Sequence, residues 1–231
     1  MTAPTRRGSG RLLKTRVKTA RNRPLASTLW LERQLNDPYV AQAKREGYRS
    51  RAAYKLLEID ARYHILKHGQ TVVDLGAAPG GWSQVAAAQT GAAEGRGKVF
   101  GIDLLSVEPV PGVEFRVLDF LDPEAPRILK DWLGGPADVV LSDMAANATG
   151  HRKTDHLRIM GLVERAAEFA GEILAEGGTF LAKVLQGGTE TELLAEFKRQ
   201  FAEVRHVKPK ASRAESSELY VLATGFKRKA D

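Results

Sequence analysis

Seven short apolar runs follow one another from residue 71 onwards. The runs lie at 71–75, 98–103, 113–119, 137–143, 178–184, 204–208 and 219–225. Segments with apolar residues at helical spacing separate most of them, at 81–90, 122–133, 155–175 and 189–202. Strands that alternate with helices predict an α/β fold with a mainly parallel sheet and helices on both faces. The last two runs are too close in sequence for a helical crossover, so we expect an antiparallel pair at one edge of the sheet.

Two helices are predicted ahead of the first strand. Asp37 followed by Pro38 is typical of a helix start, with the aspartate as cap and the proline in the first helical position. A second helix is predicted over 50–63, opened by Ser50, because apolar residues recur there at roughly helical spacing.

The chain has 231 residues, of which 43% are hydrophobic, which suits one sizeable core rather than two domains. We expect a basic arm over residues 1–29 and a single domain over 30–231. Cysteine is absent, which excludes disulfides and thiolate metal sites and fits a reducing compartment. No apolar stretch reaches the roughly 18 residues of a membrane span, and no secretory h-region is visible. We therefore expect a cytoplasmic monomer that uses neither metal nor membrane.

The net charge of +7 is concentrated at one end of the chain. Residues 1–25 contain no acidic residue, and their basic residues are Arg6, Arg7, Arg11, Lys14, Arg16, Lys18, Arg21 and Arg23. A cationic arm on a nearly neutral body favours binding to a phosphate backbone, because such contacts release counterions. Two other interpretations stay open, namely a solvated tail and an Arg-rich transit peptide.

The segment 71–84 is an apolar strand followed by a glycine-rich turn and a helix. It lacks the G-x-G-x-x-G pattern of dinucleotide enzymes and the lysine of a P-loop. An adenosine joined to an amino acid fits such a turn at least as well as a pyrophosphate does. Asp103 ends the next strand, where a carboxylate accepts hydrogen bonds from ribose hydroxyls, and Asp119 is placed to accept from an adenine amine. Trp82 is either a wall of this pocket or a core residue.

Five motifs together resemble the FtsJ/RrmJ family of ribosomal RNA 2′-O-methyltransferases. They are RSRAAYKL (49–56), DLGAAPGGWSQ (74–84), LSDMAAN (141–147), FLAKVLQG (180–187) and SSELYVLATG (216–225). The resemblance covers about residues 30–226 and implies a Rossmann-like methyltransferase fold that binds S-adenosyl-L-methionine. It implies a catalytic tetrad of Lys55, Asp143, Lys183 and Glu218, and a cofactor site at Gly80, Trp82, Asp103, Asp119 and Asp143. It also implies methylation of a uridine in 23S rRNA within the assembled large subunit. Ala146 departs from the family, whose members commonly have proline there.

The residues themselves support these roles. Methyl transfer from a sulfonium is an in-line displacement that needs neither metal nor covalent intermediate. Lys183 lies in an apolar run, where a lysine without a function is costly to bury. Burial and the second cation Lys55 favour its neutral, proton-accepting form, while Asp143 and Glu218 favour the charged form, which stabilises the alkoxide instead. The sequence leaves the two roles open.

We expect RNA to lie across the first two helices and the arm. The basic residues that would contact it are Lys44, Arg45, Arg49 and Arg51, with Arg205, Lys208, Lys210 and Arg213 as a second patch. Alternatives are a 2′-O-methyltransferase of tRNA or another RNA, a ribosome-assembly factor that binds RNA without catalysis, and a small-molecule methyltransferase, which leaves the basic arm unexplained.

Overall fold

A computed structural model describes residues 15–17, 19, 21, 24–145, 151–186 and 191–228. The helices in these ranges are α1 (Leu25–Leu35), α2 (Pro38–Glu46), α3 (Ala53–Tyr63), α4 (Gly81–Thr90), α5 (Ala125–Leu133), α6 (Arg152–Ile173) and α7 (Thr191–Gln200). The strands are β1 (Thr71–Leu75), β2 (Lys98–Asp103), β3 (Val113–Val117), β4 (Ala137–Ser142), β5 (Leu174–Leu185), β6 (Phe201–Val207) and β7 (Glu218–Phe226).

The strands form one seven-stranded sheet in the order β3-β2-β1-β4-β5-β7-β6. Strands β1 to β5 pair in parallel, whereas β7 lies antiparallel between β5 and β6. The predicted fold class, a mostly parallel seven-strand sheet with an antiparallel pair at one edge, is confirmed. The strand order reverses between β1 and β4, and ligands of open α/β sheets bind outside the carboxyl ends of the strands at such a point.

Helices cover both faces of the sheet. Helices α5, α6 and α7 pack on one face through residues such as Leu129, Phe169 and Phe197. Helices α3 and α4 cover the other face through residues such as Leu56 and Val85. Because the central strands are buried on both sides, their sequences are nearly continuous apolar runs rather than alternating patterns.

Asp37 connects the N-terminal helices to the segment before β7. Its side chain caps α2 by accepting a hydrogen bond from the backbone N–H of Tyr39 at 3.0 Å. Its Oδ2 also lies 2.5 Å from a guanidinium nitrogen of Arg51 and 3.1 Å from one of Arg213. A buried carboxylate is tolerated when it has such charged partners. The start of α2, the turn before α3 and the segment 208–217 are thereby held together.

Some predicted boundaries differ from the structure. Helix α3 begins at Ala53 instead of Ser50, because Ser50 Oγ makes no capping hydrogen bond and residues 50–52 form a turn. Helix α1 is not among the predicted elements, since its apolar residues do not form one buried stripe: Leu25, Leu29 and Leu35 are exposed.

The predicted boundary between arm and domain, after residue 29, falls inside α1. The end of α1 also contacts part of the arm: Thr15 N–H donates to Asn36 Oδ1 at 2.7 Å, and Asn36 Nδ2 donates to the Thr15 carbonyl at 2.9 Å. Residues 1–14 lie outside the described residues. Among the helices that are described, none has the length and apolar character needed to cross a membrane.

Candidate active site

The loop between β1 and α4 packs closely against the segment that follows β4. Gly76 has a φ of 77°, and the N–H groups of Gly76 and Ala77 both donate to the Ile102 carbonyl at 2.9 Å. A Cβ at position 76 would lie 2.7 Å from Met144 Cγ and 3.1 Å from Met144 Cα. Glycine is therefore required at this position both by the backbone conformation and by the lack of space.

A cavity of about 640 Å³ lies beside this loop, at the carboxyl ends of the central strands. Its volume is within the range of small-molecule sites, about 300–1,000 Å³. Apolar side chains such as Ile102, Leu118 and Leu162 line it, together with the carboxylates of Asp103 and Asp119. The cavity offers apolar walls for a flat ring system and a few acceptors for polar groups.

Backbone N–H groups fix both carboxylates at the cavity. Asp103 Oδ2 accepts a hydrogen bond from Ala78 N–H and its Oδ1 accepts one from Leu105 N–H, both at 2.9 Å. Asp119 Oδ1 accepts from Leu121 N–H at 2.9 Å. An ionised carboxylate has about four acceptor positions. Each aspartate therefore keeps acceptor capacity for hydroxyl or amine groups of a ligand.

The four residues of the predicted tetrad lie together beside this cavity, and one of them, Asp143, is part of the cavity lining. The other three are Lys55, Lys183 and Glu218. Lys183 Nζ lies 3.0 Å from Asp143 Oδ1 and donates to the Asp143 backbone carbonyl at 2.6 Å. Lys55 Nζ lies 2.7 Å from Glu218 Oε2 and 3.9 Å from Asp143 Oδ2. The structure thus brings together all four residues of the predicted tetrad as two adjacent ion pairs, from α3, the end of β4, β5 and β7.

The charges of the lysines determine the ionisation of Asp143. Burial raises the pKa of Asp143, but the positive charges of Lys183 and Lys55 outweigh that effect and hold the pKa below its ordinary value. Tyr220 donates a hydrogen bond from its hydroxyl to Asp143 Oδ1 at 2.8 Å. Burial, together with the negative charges of Asp143 and Glu218, raises the pKa of Tyr220 well above its ordinary value. At neutral pH the site therefore contains an ionised aspartate and a protonated tyrosine.

Residues 48–226 match the family model described as FtsJ-like methyltransferase, which is most of the chain. The chain belongs to the FtsJ-like methyltransferase family. The resemblance inferred from the five motifs is confirmed.

Relatives of the FtsJ-like chain share most of its length. Ribosomal RNA large subunit methyltransferase E of Xanthobacter autotrophicus is 66% identical over 231 residues, covering 100% of this chain and 91% of that protein. The protein of that name from Bradyrhizobium sp. (strain BTAi1) is 68% identical over 211 residues, covering 91% of each. A solved structure assigned as a ribosomal RNA methyltransferase from Plasmodium falciparum has a TM-score of 0.68 and 30% identity, covering 78% of this chain and 98% of that one.

Two of the predicted cofactor residues do not line the cavity of this FtsJ-like domain. Trp82 is 3% exposed, its indole N–H donates to the Ala52 carbonyl at 2.8 Å, and its ring packs on Tyr220 with centroids 5.6 Å apart. It is a core residue under the tetrad. Gly80, with a φ of 107°, faces Arg49 and ends the turn before α4.

Asp74 is a buried acid beneath the cavity that is not among the predicted site residues. It is fully buried, its Oδ2 accepts a hydrogen bond from Ser83 Oγ at 2.6 Å, and its Oδ1 has no partner among the described residues. Burial raises the pKa of Asp74 to about 7, with a smaller contribution from the charges of Asp143 and Asp103, although the Ser83 hydrogen bond opposes the shift. The signal in the sequence is an acid inside the apolar run 71–75.

Several basic residues predicted to contact RNA have contacts within the protein instead. The Arg49 guanidinium donates to the Glu108 and Pro109 carbonyls at 2.5 and 2.7 Å, and Arg51 and Arg213 pair with Asp37. The exposed Lys208 donates to two carbonyls of its own loop, and the exposed Arg205 pairs with Glu203. Among the residues predicted to contact RNA outside the arm, all of which the structure describes, Lys44, Arg45 and Lys210 are exposed and make no hydrogen bond or ion pair within the described chain.

Over the described ranges, no group of three or more His, Cys, Asp or Glu side chains is arranged to hold a metal ion. The expected departure from the family at Ala146 lies outside the described residues.

Asp74 makes stability depend on pH. Its folded-state pKa of about 7 is above the ordinary value of 3.8, so its contribution to stability is present below about pH 4 and is lost as pH rises through 7. Asp74→Asn removes this loss. We expect the variant to gain stability over the parent between pH 4 and pH 8, by about 2–4 kcal/mol.

Urea unfolding at several pH values measures this difference. Asp131→Asn makes the same substitution at an exposed carboxylate of α5 and is the matched control. The contrary result is a free energy of unfolding of Asp74→Asn that differs from that of the parent by the same amount at every pH between 4 and 8. That result would show that Asp74 is ionised throughout this range.

Proposed function

We propose that this FtsJ-like methyltransferase transfers a methyl group from S-adenosylmethionine to the ribose 2′-hydroxyl of a uridine in 23S rRNA of the large ribosomal subunit. The observation that carries the proposal is the convergence of Lys55, Asp143, Lys183 and Glu218 beside a cavity lined by Asp103 and Asp119. The names of the relatives, which act on large-subunit ribosomal RNA, support the choice of substrate.

The cavity suits S-adenosylmethionine in size and chemistry. Asp103 would accept hydrogen bonds from the two ribose hydroxyls of the cofactor, since its oxygens keep free acceptor positions. Asp119, which lines the same cavity, would accept from the adenine amine, and Ile102, Leu118 and Leu162 would contact the ring. When bound, the cofactor supplies a methyl group on a positively charged sulfur; the new C–O bond is balanced by loss of the C–S bond and of the hydroxyl proton.

Lys183 is placed to act on the 2′-oxygen. An ammonium has three N–H donors, and Asp143 occupies two of them through Oδ1 and its backbone carbonyl. The third would point to the substrate and stabilise the developing alkoxide, with the proton leaving to solvent. A neutral amine would make the same two contacts with its two N–H groups and use its lone pair to accept the hydroxyl proton. Both roles therefore use the same two contacts with Asp143. They differ only in whether Nζ presents an N–H donor or a lone pair to the 2′-oxygen.

The other members of the tetrad hold Lys183 and the substrate in place. Asp143 is ionised and accepts from Lys183 and from Tyr220 at the same oxygen, which fixes its orientation. Lys55, paired with Glu218, adds a second positive charge near the reacting oxygen. Alignment of groups of this kind contributes several kcal/mol to a displacement reaction.

RNA would reach the site over the exposed cations of α2 and the basic arm. Lys44 and Arg45 are exposed at the end of α2, and Asn36, which contacts Thr15 of the arm, immediately precedes the cap of that helix. Contacts to phosphates would position the RNA without reading its sequence. A tRNA substrate and a non-catalytic role in ribosome assembly are the alternatives, and the assays below distinguish them.

Asp103→Ala should weaken binding of S-adenosylmethionine by about 1–3 kcal/mol, because two ribose hydroxyls lose their acceptor. Calorimetry on the purified protein measures this directly. Asp131→Ala on the surface of α5 serves as control and should bind as the parent does. Unchanged affinity in Asp103→Ala would place the ribose elsewhere.

Lys183→Ala should abolish methyl transfer while leaving the fold, cofactor binding and RNA binding nearly intact, because Lys183 acts mainly while the methyl group moves. The measurement is transfer of labelled methyl to purified large subunits that lack the modification, followed by mapping of the methylated nucleotide. Transfer RNA and isolated 23S rRNA are tested in parallel. Lys130→Ala, an exposed lysine of α5 paired with Glu172, is the matched control.

Lys183→Arg separates the two roles of the lysine, since arginine keeps the charge but does not readily release a proton. Substantial activity of Lys183→Arg favours the charged role, and loss of activity in a correctly folded variant favours the base.

Transfer by Lys183→Ala at the parent rate would show that the catalytic assignment is wrong. A parent protein that binds large subunits without methylating any RNA would favour the assembly factor.

Removing residues 1–14 deletes Arg6, Arg7, Arg11 and Lys14 but spares the contact between Thr15 and Asn36. We expect weaker binding to RNA and a salt dependence whose slope is smaller by up to about three, since each lost phosphate contact reduces it by roughly 0.7–0.9. Cofactor affinity should not change. A full-length variant with glutamine at the four positions should behave like the truncation, and an unchanged slope in both would show that this part of the arm does not contact RNA.

A further inference from the structure

A serine outside the tetrad contacts Glu218 directly. Ser212 is 6% exposed, and its hydroxyl donates to Glu218 Oε1 at 2.7 Å. The other oxygen of the same carboxylate, Oε2, accepts from Lys55 Nζ at 2.7 Å. Ser212 and Lys55 thus donate to different oxygens of Glu218, and together these two donors restrict the rotation of the carboxylate about its last bond.

The backbone of Ala211, just before Ser212, is held by helix α3 and by the turn that precedes this helix. Ala211 is fully buried, and its N–H donates to Glu58 Oε2 at 3.1 Å. Its carbonyl accepts from the guanidinium of Arg51, which is itself paired with Asp37. Both polar groups of one loop residue are therefore bound by side chains of the N-terminal helices, and the position of the neighbouring Ser212 follows from them.

Helix α3 consequently acts on both members of the Lys55–Glu218 pair. It carries Lys55, and through Glu58 it positions the loop whose serine orients Glu218. We infer that Ser212 is a positioning residue of the methyl transfer, which keeps Glu218 turned toward Lys55. This inference rests on the proposed function.

Loss of the hydroxyl would remove the hydrogen bond that Ser212 gives to Glu218 Oε1 in a largely buried place. The carboxylate would then be free to rotate away from its pairing with Lys55, and Lys55 would lose its fixed position near the reacting oxygen. Groups that must be aligned during the chemical step affect kcat more than binding. A residue with a purely structural role would instead change stability and all kinetic constants together.

Ser212→Ala should lower kcat for methyl transfer to large subunits by about tenfold, the usual effect of losing a hydrogen bond to a charged group. KM for subunits and the affinity for S-adenosylmethionine should stay within about twofold. Ser212→Thr, which keeps the hydroxyl, should recover most of kcat. Ser217→Ala is the matched control, because that serine is exposed in the same loop and contributes only its backbone carbonyl, to Gln186 N–H.

Glu58→Ala tests the same inference from a residue that is remote from the reacting atoms. If Glu58 acts through Ser212, Glu58→Ala also lowers kcat and leaves KM nearly unchanged. The double variant Ser212→Ala/Glu58→Ala then loses less kcat than the fold-losses of the two single variants multiplied together. Thermal unfolding of every variant confirms that the folded state is assayed.

Parent-level kcat in Ser212→Ala, or equal loss in Ser212→Ala and Ser212→Thr, would overturn the inference while leaving the proposed function standing. Independent, multiplicative effects of Ser212→Ala and Glu58→Ala would overturn the link from α3. A parent protein that methylates no RNA would overturn the proposed function and the positioning role with it.

Discussion

The neutralisation of Asp143 inside the molecule is the constraint on which the candidate active site depends. An unpaired carboxylate at this depth would be costly, so two lysines must approach it, and each lysine in turn needs a defined partner. The result is a pair of ion pairs drawn from α3, β4, β5 and β7. Because four separate elements contribute, the arrangement exists only when the sheet and its N-terminal helices are assembled. The same requirement explains the phenol of Tyr220, which gives Asp143 a further donor in the core.

Arginines support this arrangement from a distance. Arg49 joins the loop after β1 to the carbonyls of Glu108 and Pro109, and Arg51 joins Asp37 to the Ala211 carbonyl. A guanidinium suits these places because its five donors lie in one plane and can reach acceptors on several segments at once. The arginines of the turn before α3 thus hold the protein together, whereas the cations at the end of α2 stay exposed.

The sheet could be predicted from the apolar runs, and the four residues that meet beside the cavity could be predicted from the resemblance of the five motifs, whereas the contacts of individual arginines could not be predicted. Strands buried on both faces have nearly continuous apolar runs, and a lysine within such a run, like Lys183, is recognisable in the sequence. The partners of Arg51 and Arg213 depend on a single buried carboxylate, Asp37, which the sequence indicates only as a helix cap. Trp82 shows the same limit, because a tryptophan after a glycine-rich turn fits both a pocket wall and a core, and only packing on Tyr220 decides.

The insertion of β7 between β5 and β6 affects the order in which the sheet assembles. β7 comes after β5 and β6 in the chain and carries Glu218 and Tyr220, yet it fills the gap between them in the sheet. Until it does so, β5 and β6 each present an unpaired edge, which is a surface prone to wrong pairing. β7 must also pair with β5 across α7 and β6 in the sequence, and such non-local pairing forms more slowly than a local one. The four charged residues therefore come together only when β7 has taken its place in the sheet, so a chain in which β7 is still unpaired has an incomplete site.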